Sequence, residues 1–264
     1  MHPKEILVGR VEAGRRLAHI VVTMKDEVGA VASVNALAAS MDVDIRQSSS
    51  YTLTEDSRAI YSAFIALNDP KVSLDQLCRR LESSPFVVGV QALEGRDGVI
   101  VDEISFPVNW QGRRIVILNQ PATTRMFEAM RSVLGTGGDV ILYQQGSCYG
   151  RELAEYFINR LGRDYLKHNF DYGLGVLAAT GWGIPELSGS KVEFPNMRLS
   201  LMYCLECDGI GSKQPVCSFM RGFLSGVFGT IAEHTVHCEE LRCIAKGDPC
   251  CEFELRTGQS RLTR

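Results

Sequence analysis

The sequence predicts a mixed α+β protein of two domains, and three observations carry that expectation. Residues 18–93 run strand, helix, strand, strand, helix, strand, a ferredoxin-like βαββαβ order. The remainder mixes long helical stretches with short alternating segments, as a mixed α/β domain with an antiparallel sheet does. The chain then closes on a hairpin pattern, Val236 to Ile244 and Cys251 to Leu255 around Lys246-Gly247-Asp248-Pro249. The expected domains are 1–96 and 97–264, with Glu94 to Gly98 as the linker.

Each element has a local reason. His19 to Thr23 reads as a buried strand, and Asp26 to Gly29 as a loop. Val31, Val34, Ala38 and Met41 then fall on one helical face. Asp44 to Thr54 alternates, Thr54 to Ser57 turns the chain, and Ala59 to Leu67 returns until Asn68-Asp69-Pro70 breaks the strand. Ser73 caps a second helix bearing Leu74, Leu77, Cys78 and Leu81. Ser83-Ser84-Pro85 ends that helix, and Phe86 to Leu93 supplies the last strand.

Past the linker, Ile115 to Leu118 reads as a strand and Pro121 opens a helix to Leu134, stopped by Gly135-Thr136-Gly137-Gly138. Asp139 to Gln145 is expected as a strand, with Ser147 capping a helix to Leu161. Arg163 to about Thr180 is helical, and strands follow near Gly183–Leu187 and Leu199–Cys207. Pro215 is a natural first helical residue, which puts Cys217 in the first turn of the next helix.

Chemistry concentrates in the cysteines. Nine of them, an odd number in a chain of 264 residues that starts without an export signal, argue against a disulfide framework. Metal ligation, redox chemistry and simple packing remain. A hairpin brings Cys243 and Cys251 near one point, and a thiolate at Cys217 is favoured by its helix dipole. Three such ligands suit tetrahedral zinc. Glu240 is a possible fourth ligand, although three residues before Cys243 it faces the other way unless a bulge intervenes. His234, His237 and Cys238 are nearby competitors. Cys204 and Cys207 form a CxxC whose strand alternation points the two thiols apart, so packing is the preferred reading over a second metal or a redox pair.

The residues Cys217, Gly222, Gly226, Glu240, Cys243, Gly247, Cys251 and Phe253 resemble the 4-vinyl-reductase domain of phenol-responsive regulators and archaeal hydrocarbon-binding proteins, over roughly residues 105–257. The resemblance implies a structural zinc beneath a buried pocket for an aromatic or hydrophobic ligand. Candidate pocket residues, by type, are Trp182, Phe157, His168, Tyr149 and Phe170, with ordinary core packing as the plainer alternative. The N-terminal order and loop resemble an ACT domain, a regulatory module that often binds amino acids between paired copies. Val28 stands where that family usually carries proline. Asp26 and Gly29 would then hold an amino-acid ligand, or would simply cap the helix and make the turn.

A net charge of −3 with scattered basic residues gives no reason to expect nucleic acid, and Arg261 to Arg264 reads as a frayed tail. No stretch reaches the length of a membrane span, so a cytoplasmic chain is expected. The leading expectation is a non-catalytic sensor that homodimerises and passes its signal to a partner protein. The alternative is a reductase, or a redox or iron–sulfur protein, acting on a vinyl or aromatic substrate. No dinucleotide fingerprint supports that alternative: Gly135 to Gly138 closes a helix instead of opening one.

Overall fold

The computed structural model describes residues 2–53 and 56–258, and its chain divides into two compact units, 1–116 and 117–264. Residues 54 and 55 of the expected turn and the terminal 261–264 stretch lie outside the described residues. Among the described residues no helix is long and apolar enough to cross a membrane.

In the N-terminal unit, β1 (Gly9–Val11) precedes β2 (Leu17–Lys25), α1 (Ala30–Ser40), β3 (Val43–Leu53), β4 (Arg58–Leu67), α2 (Leu74–Glu82), β5 (Val87–Glu94) and β6 (Val99–Val101). Four strands form an antiparallel sheet in the order β3-β4-β2-β5. The inner strands β2 and β4 are nearly continuous runs of apolar residues because both of their faces are covered. Ile20, Val22 and Met24 of β2 meet Val34 and Ala38 of α1 and Leu77 and Leu81 of α2 in one core. Ser73 caps α2 as expected: Gln76 N–H donates to its hydroxyl at 3.2 Å and its own N–H donates to Gln76 Oε1 at 2.8 Å. This unit extends beyond residue 96, because β6 pairs with β1 and Ile100 packs on Leu17 and Phe64. A two-residue ribbon, β7 (Asn109–Trp110) with β8 (Arg113–Arg114), follows. Residues 115–118, expected as a strand, take no regular structure.

One buried histidine gives this unit a pH signature. His19 sits on β2 with Nε2 2.8 Å from the Ser62 hydroxyl and Nδ1 3.4 Å from Asp102. Burial lowers its pKa below the ordinary 6.5, with Asp102 pulling the other way. The native ring therefore resists protonation. The stability it contributes is full above about pH 6.5 and lost as pH falls through its lower folded value. Acidification from about pH 7.5 to about 5.5 is expected to lower the melting temperature, and His19→Asn should flatten that slope. Equal slopes for the two proteins would remove His19 as its origin.

The C-terminal unit comprises α3 (Gln120–Leu134), α4 (Thr136–Leu161), α5 (Arg163–His168), α6 (Phe170–Ala179), β9 (Ile184–Glu193), β10 (Asn196–Met202), α7 (Ser218–Ala232), β11 (Val236–Arg242) and β12 (Cys251–Thr257). Its antiparallel sheet runs β11-β12-β10-β9. The expected strand over 139–145 is instead the start of a continuous 26-residue helix, α4. Gly138, Leu142, Gly146, Gly150 and Ala154 are its buried residues, spaced by four along one stripe. Along the middle of that stripe the backbones of α4 and α7 touch. A β-carbon at Gly146 would lie 2.0 Å from Phe219 O, and one at Gly222 would lie 1.9 Å from Tyr143 O. Tertiary contact thus overrides the β-propensity of Val140 and Ile141.

Candidate metal centre and apolar cavity

The closing hairpin behaves as its alternation demands, with one addition. β11 pairs with β12 from Val236↔Thr257 to Glu240↔Phe253, then a bulge falls between Glu240 and Arg242. That extra residue rotates the strand, so Glu240 and Cys243 point the same way. Beyond Cys243 a short 3-10 turn (Ile244–Lys246) and Gly247, at φ 94°, return the chain to Cys251. Asp248 fixes the turn by accepting from Cys243 N–H at 2.9 Å.

α7 begins at Ser218, so Cys217 occupies its cap position instead of the first turn expected from Pro215. Its N–H donates to Glu240 Oε2 at 2.9 Å, locking helix start to hairpin. Cys217 Sγ lies 3.9 Å from Cys243 Sγ and 3.7 Å from Cys251 Sγ. Cys217, Glu240, Cys243 and Cys251 offer ligand atoms within 4.8 Å of one another. All three of these thiols are fully buried.

Cys204 and Cys207 correct the sequence reading. β10 ends at Met202, and Tyr203, at φ 55°, turns the chain out of the strand. The next residues wind as a turn, with Cys207 N–H and Asp208 N–H both donating to Cys204 O at 3.2 and 2.9 Å. Strand alternation therefore does not apply, and both thiols reach the same nest: Cys204 lies 3.7 Å from Cys217 and Cys207 3.2 Å from Cys251. His234 and His237 are exposed and Cys238 packs in the core, and among the described residues none of them joins a candidate ligand group.

Glu206, between those two cysteines, holds the turn in place. Its fully buried carboxylate accepts from Phe219 N–H at 3.0 Å and Met220 N–H at 2.8 Å, capping α7 from a distant loop. Arg131 of α3 pairs with it and donates to Val216 O. Burial pushes the Glu206 carboxyl up to about 7, while the two amides and Arg131 pull it down. Sequence spacing gives no hint of this residue.

The donor set fits a thiophilic metal. Glu240 Oε1 is buried with no hydrogen-bond partner, an orphaned acceptor beside three thiols. Burial pushes its carboxyl up to about 8, the state of a ligand facing no cation. Ile244 N–H points at Cys251 Sγ at 3.5 Å, a donor that would support a thiolate. A cation among these atoms would remove the cost of the orphaned acceptor and that of its burial.

Beyond the cap, α7 lines an apolar cavity of ≈ 50 Å³ with α4, α5 and α6. Phe157 and Phe170 line it as expected, together with Ala154, Leu174, Phe223 and Phe228. Trp182 and Tyr149 do not line it. They pack on each other with ring centroids 5.2 Å apart, and Trp182 lies 5.0 Å from Phe223. His168 is half-buried, its Nδ1 2.7 Å from Asp164 O, and it is not among the residues that line the cavity. In the other unit, Asp26 is exposed with an Oδ1 3.5 Å from the Thr52 hydroxyl. Gly29 caps α1 at φ 96°, a left-handed conformation that favours glycine.

Residues 197–257 match the sequence model of the 4-vinyl-reductase domain. An uncharacterised protein of Methanocaldococcus jannaschii is 32% identical over 132 residues, 48% of this chain and 72% of the relative. Among solved structures, this chain is similar to the phenol-responsive sensory domain of the transcription activator PoxR with phenol (18% identity, TM-score 0.47, 56% of this chain and 79% of that one). It is also similar to a vinyl-4-reductase family protein from M. jannaschii (18% identity, TM-score 0.37, 52% and 92%).

Proposed function

The chain belongs to the 4-vinyl-reductase domain family, and from that premise we propose that its C-terminal unit is a non-catalytic binding module for a small apolar or aromatic molecule. A structural zinc held by Cys217, Glu240, Cys243 and Cys251 braces it. Three thiolates and a carboxylate close the coordination sphere, which suits structure over Lewis-acid catalysis. The N-terminal unit is an ACT-like module that pairs two copies or takes an amino acid at the Asp26–Gly29 loop. The output passes to a partner protein.

One observation carries the reading: a single helix serves both places. Cys217 caps α7, and Phe223, Leu224, Val227 and Phe228 of the same helix line the cavity. Every lining residue is apolar, which suits burial of an apolar ligand and leaves no group there for acid–base work. The cavity is smaller than the roughly 150 Å³ that admits benzene in a protein core. A ligand must therefore repack Phe157, Phe170 or Leu174 against α7, and entry is coupled to movement at the helix that carries a metal ligand.

The test is thermal unfolding of the full chain with phenol, toluene and indole. At a hundredfold excess over Kd a binder adds about 2.7 kcal/mol, several degrees for a chain of this size. Ala154→Leu fills the cavity wall and should abolish the shift while leaving the metal bound. Unchanged melting with all three compounds, and no apolar molecule co-purifying by native mass spectrometry, would overturn the proposal.

A further inference from the structure

We propose that Cys204 and Cys207 complete a second tetrahedral zinc position, sharing Cys217 and Cys251 with the first as bridging thiolates. The inference rests on the zinc reading above and extends it. Cys204, Cys207, Cys217 and Cys251 form a second quartet whose sulfurs all lie within 4.8 Å, and the two quartets have the Cys217–Cys251 edge in common. That edge is 3.7 Å, and the Cys204–Cys217 and Cys217–Cys243 separations are 3.7 and 3.9 Å. Zinc–sulfur bonds of about 2.3 Å at tetrahedral angles place sulfurs about 3.8 Å apart. Three of the separations therefore already have the length of a tetrahedron's edge.

Packing alone accounts poorly for the arrangement. Five sulfurs converge at zero exposure, where ordinary apolar side chains would fill the space without crowding polarisable atoms. The turn that delivers Cys204 and Cys207 is held by Glu206, a carboxylate buried in the core and paired with Arg131 and two amides of α7. Burying a charge to fix a turn is expensive, and what it fixes is two thiols against Cys217 and Cys251. Charge balance is also met. The incoming dication displaces the protons of Cys204 and Cys207, both released to solvent, so the net charge of the nest is unchanged. Four thiolates with no carboxylate make a soft tetrahedral set, the kind that zinc takes.

The experiment is metal analysis of the full chain purified without oxygen, with X-ray absorption at the zinc edge. Two zinc ions per chain and a zinc–zinc distance in the spectrum are expected. Cys204→Ser/Cys207→Ser should fall to one zinc, lose the zinc–zinc signal and keep its circular dichroism, because the first position is intact. One zinc in the wild type would overturn the second position and leave the first standing. Two zinc ions retained in the double variant would place the second ion elsewhere and overturn the assignment. Iron, or no metal at all, would overturn both this position and the zinc reading beneath it.

Discussion

Cys251→Ser is expected to empty the nest and unfold the C-terminal unit. Its sulfur belongs to both quartets, so its loss breaks each of them at once. Structural zinc contributes on the order of 10–16 kcal/mol in small metal-dependent domains, comparable with the entire roughly 5–15 kcal/mol stability of a folded domain. The hydrogen bonds that surround the nest cannot offset such a loss. The measurement is Trp182 fluorescence during urea unfolding, beside zinc release to a chromogenic chelator. Cys250→Ser is the comparison: its side chain is half-buried, adjacent in sequence and in neither quartet, so it should unfold like the wild type. A wild-type midpoint for Cys251→Ser would show that the sulfurs are packing atoms.

Gly222→Ala should destabilise the same unit by about 3 kcal/mol or more, the upper range for overpacking a rigid contact. The added carbon would meet the Tyr143 carbonyl oxygen at 1.9 Å. Backbone cannot rotate away as a side chain can, so α4 and α7 must separate. That separation moves Cys217 at one end of α7 and the cavity wall along it. Gly175→Ala is the opposite case. Nothing lies within 4 Å of its β-carbon position, and it sits inside α6, so alanine should stabilise by up to about 1 kcal/mol through helix propensity. Chemical denaturation of the three proteins checks both signs, and equal destabilisation of the two variants would contradict the backbone-contact argument.

Much of the fold is legible in the residues because it is local. Alternation marks β11 and β12, the Ser73 capping box marks α2, and turn residues mark the hairpin, each through chemistry within a few positions. The trio Cys217, Cys243 and Cys251 follows from the same local logic. The 139–145 segment reads as a strand because Val140 and Ile141 favour one. The spacing in fours of Gly138, Gly146 and Gly150 signals a helix only once a partner backbone lies against it. Taken as a close-contact stripe, that spacing finds α4.

What the sequence by itself determined is the order of the local elements, the apolar faces they must bury and the thiols on offer. Only the tertiary structure decided which thiols meet. A bulge after Glu240 turned that carboxylate toward Cys243, and a turn at Tyr203 released Cys204 and Cys207 from strand geometry. Glu206, distant in sequence from the helix it caps, pinned them there. Each of these depends on a long-range contact that rewards a locally unfavourable backbone or a buried charge, and such a reward is invisible until the partners are folded together.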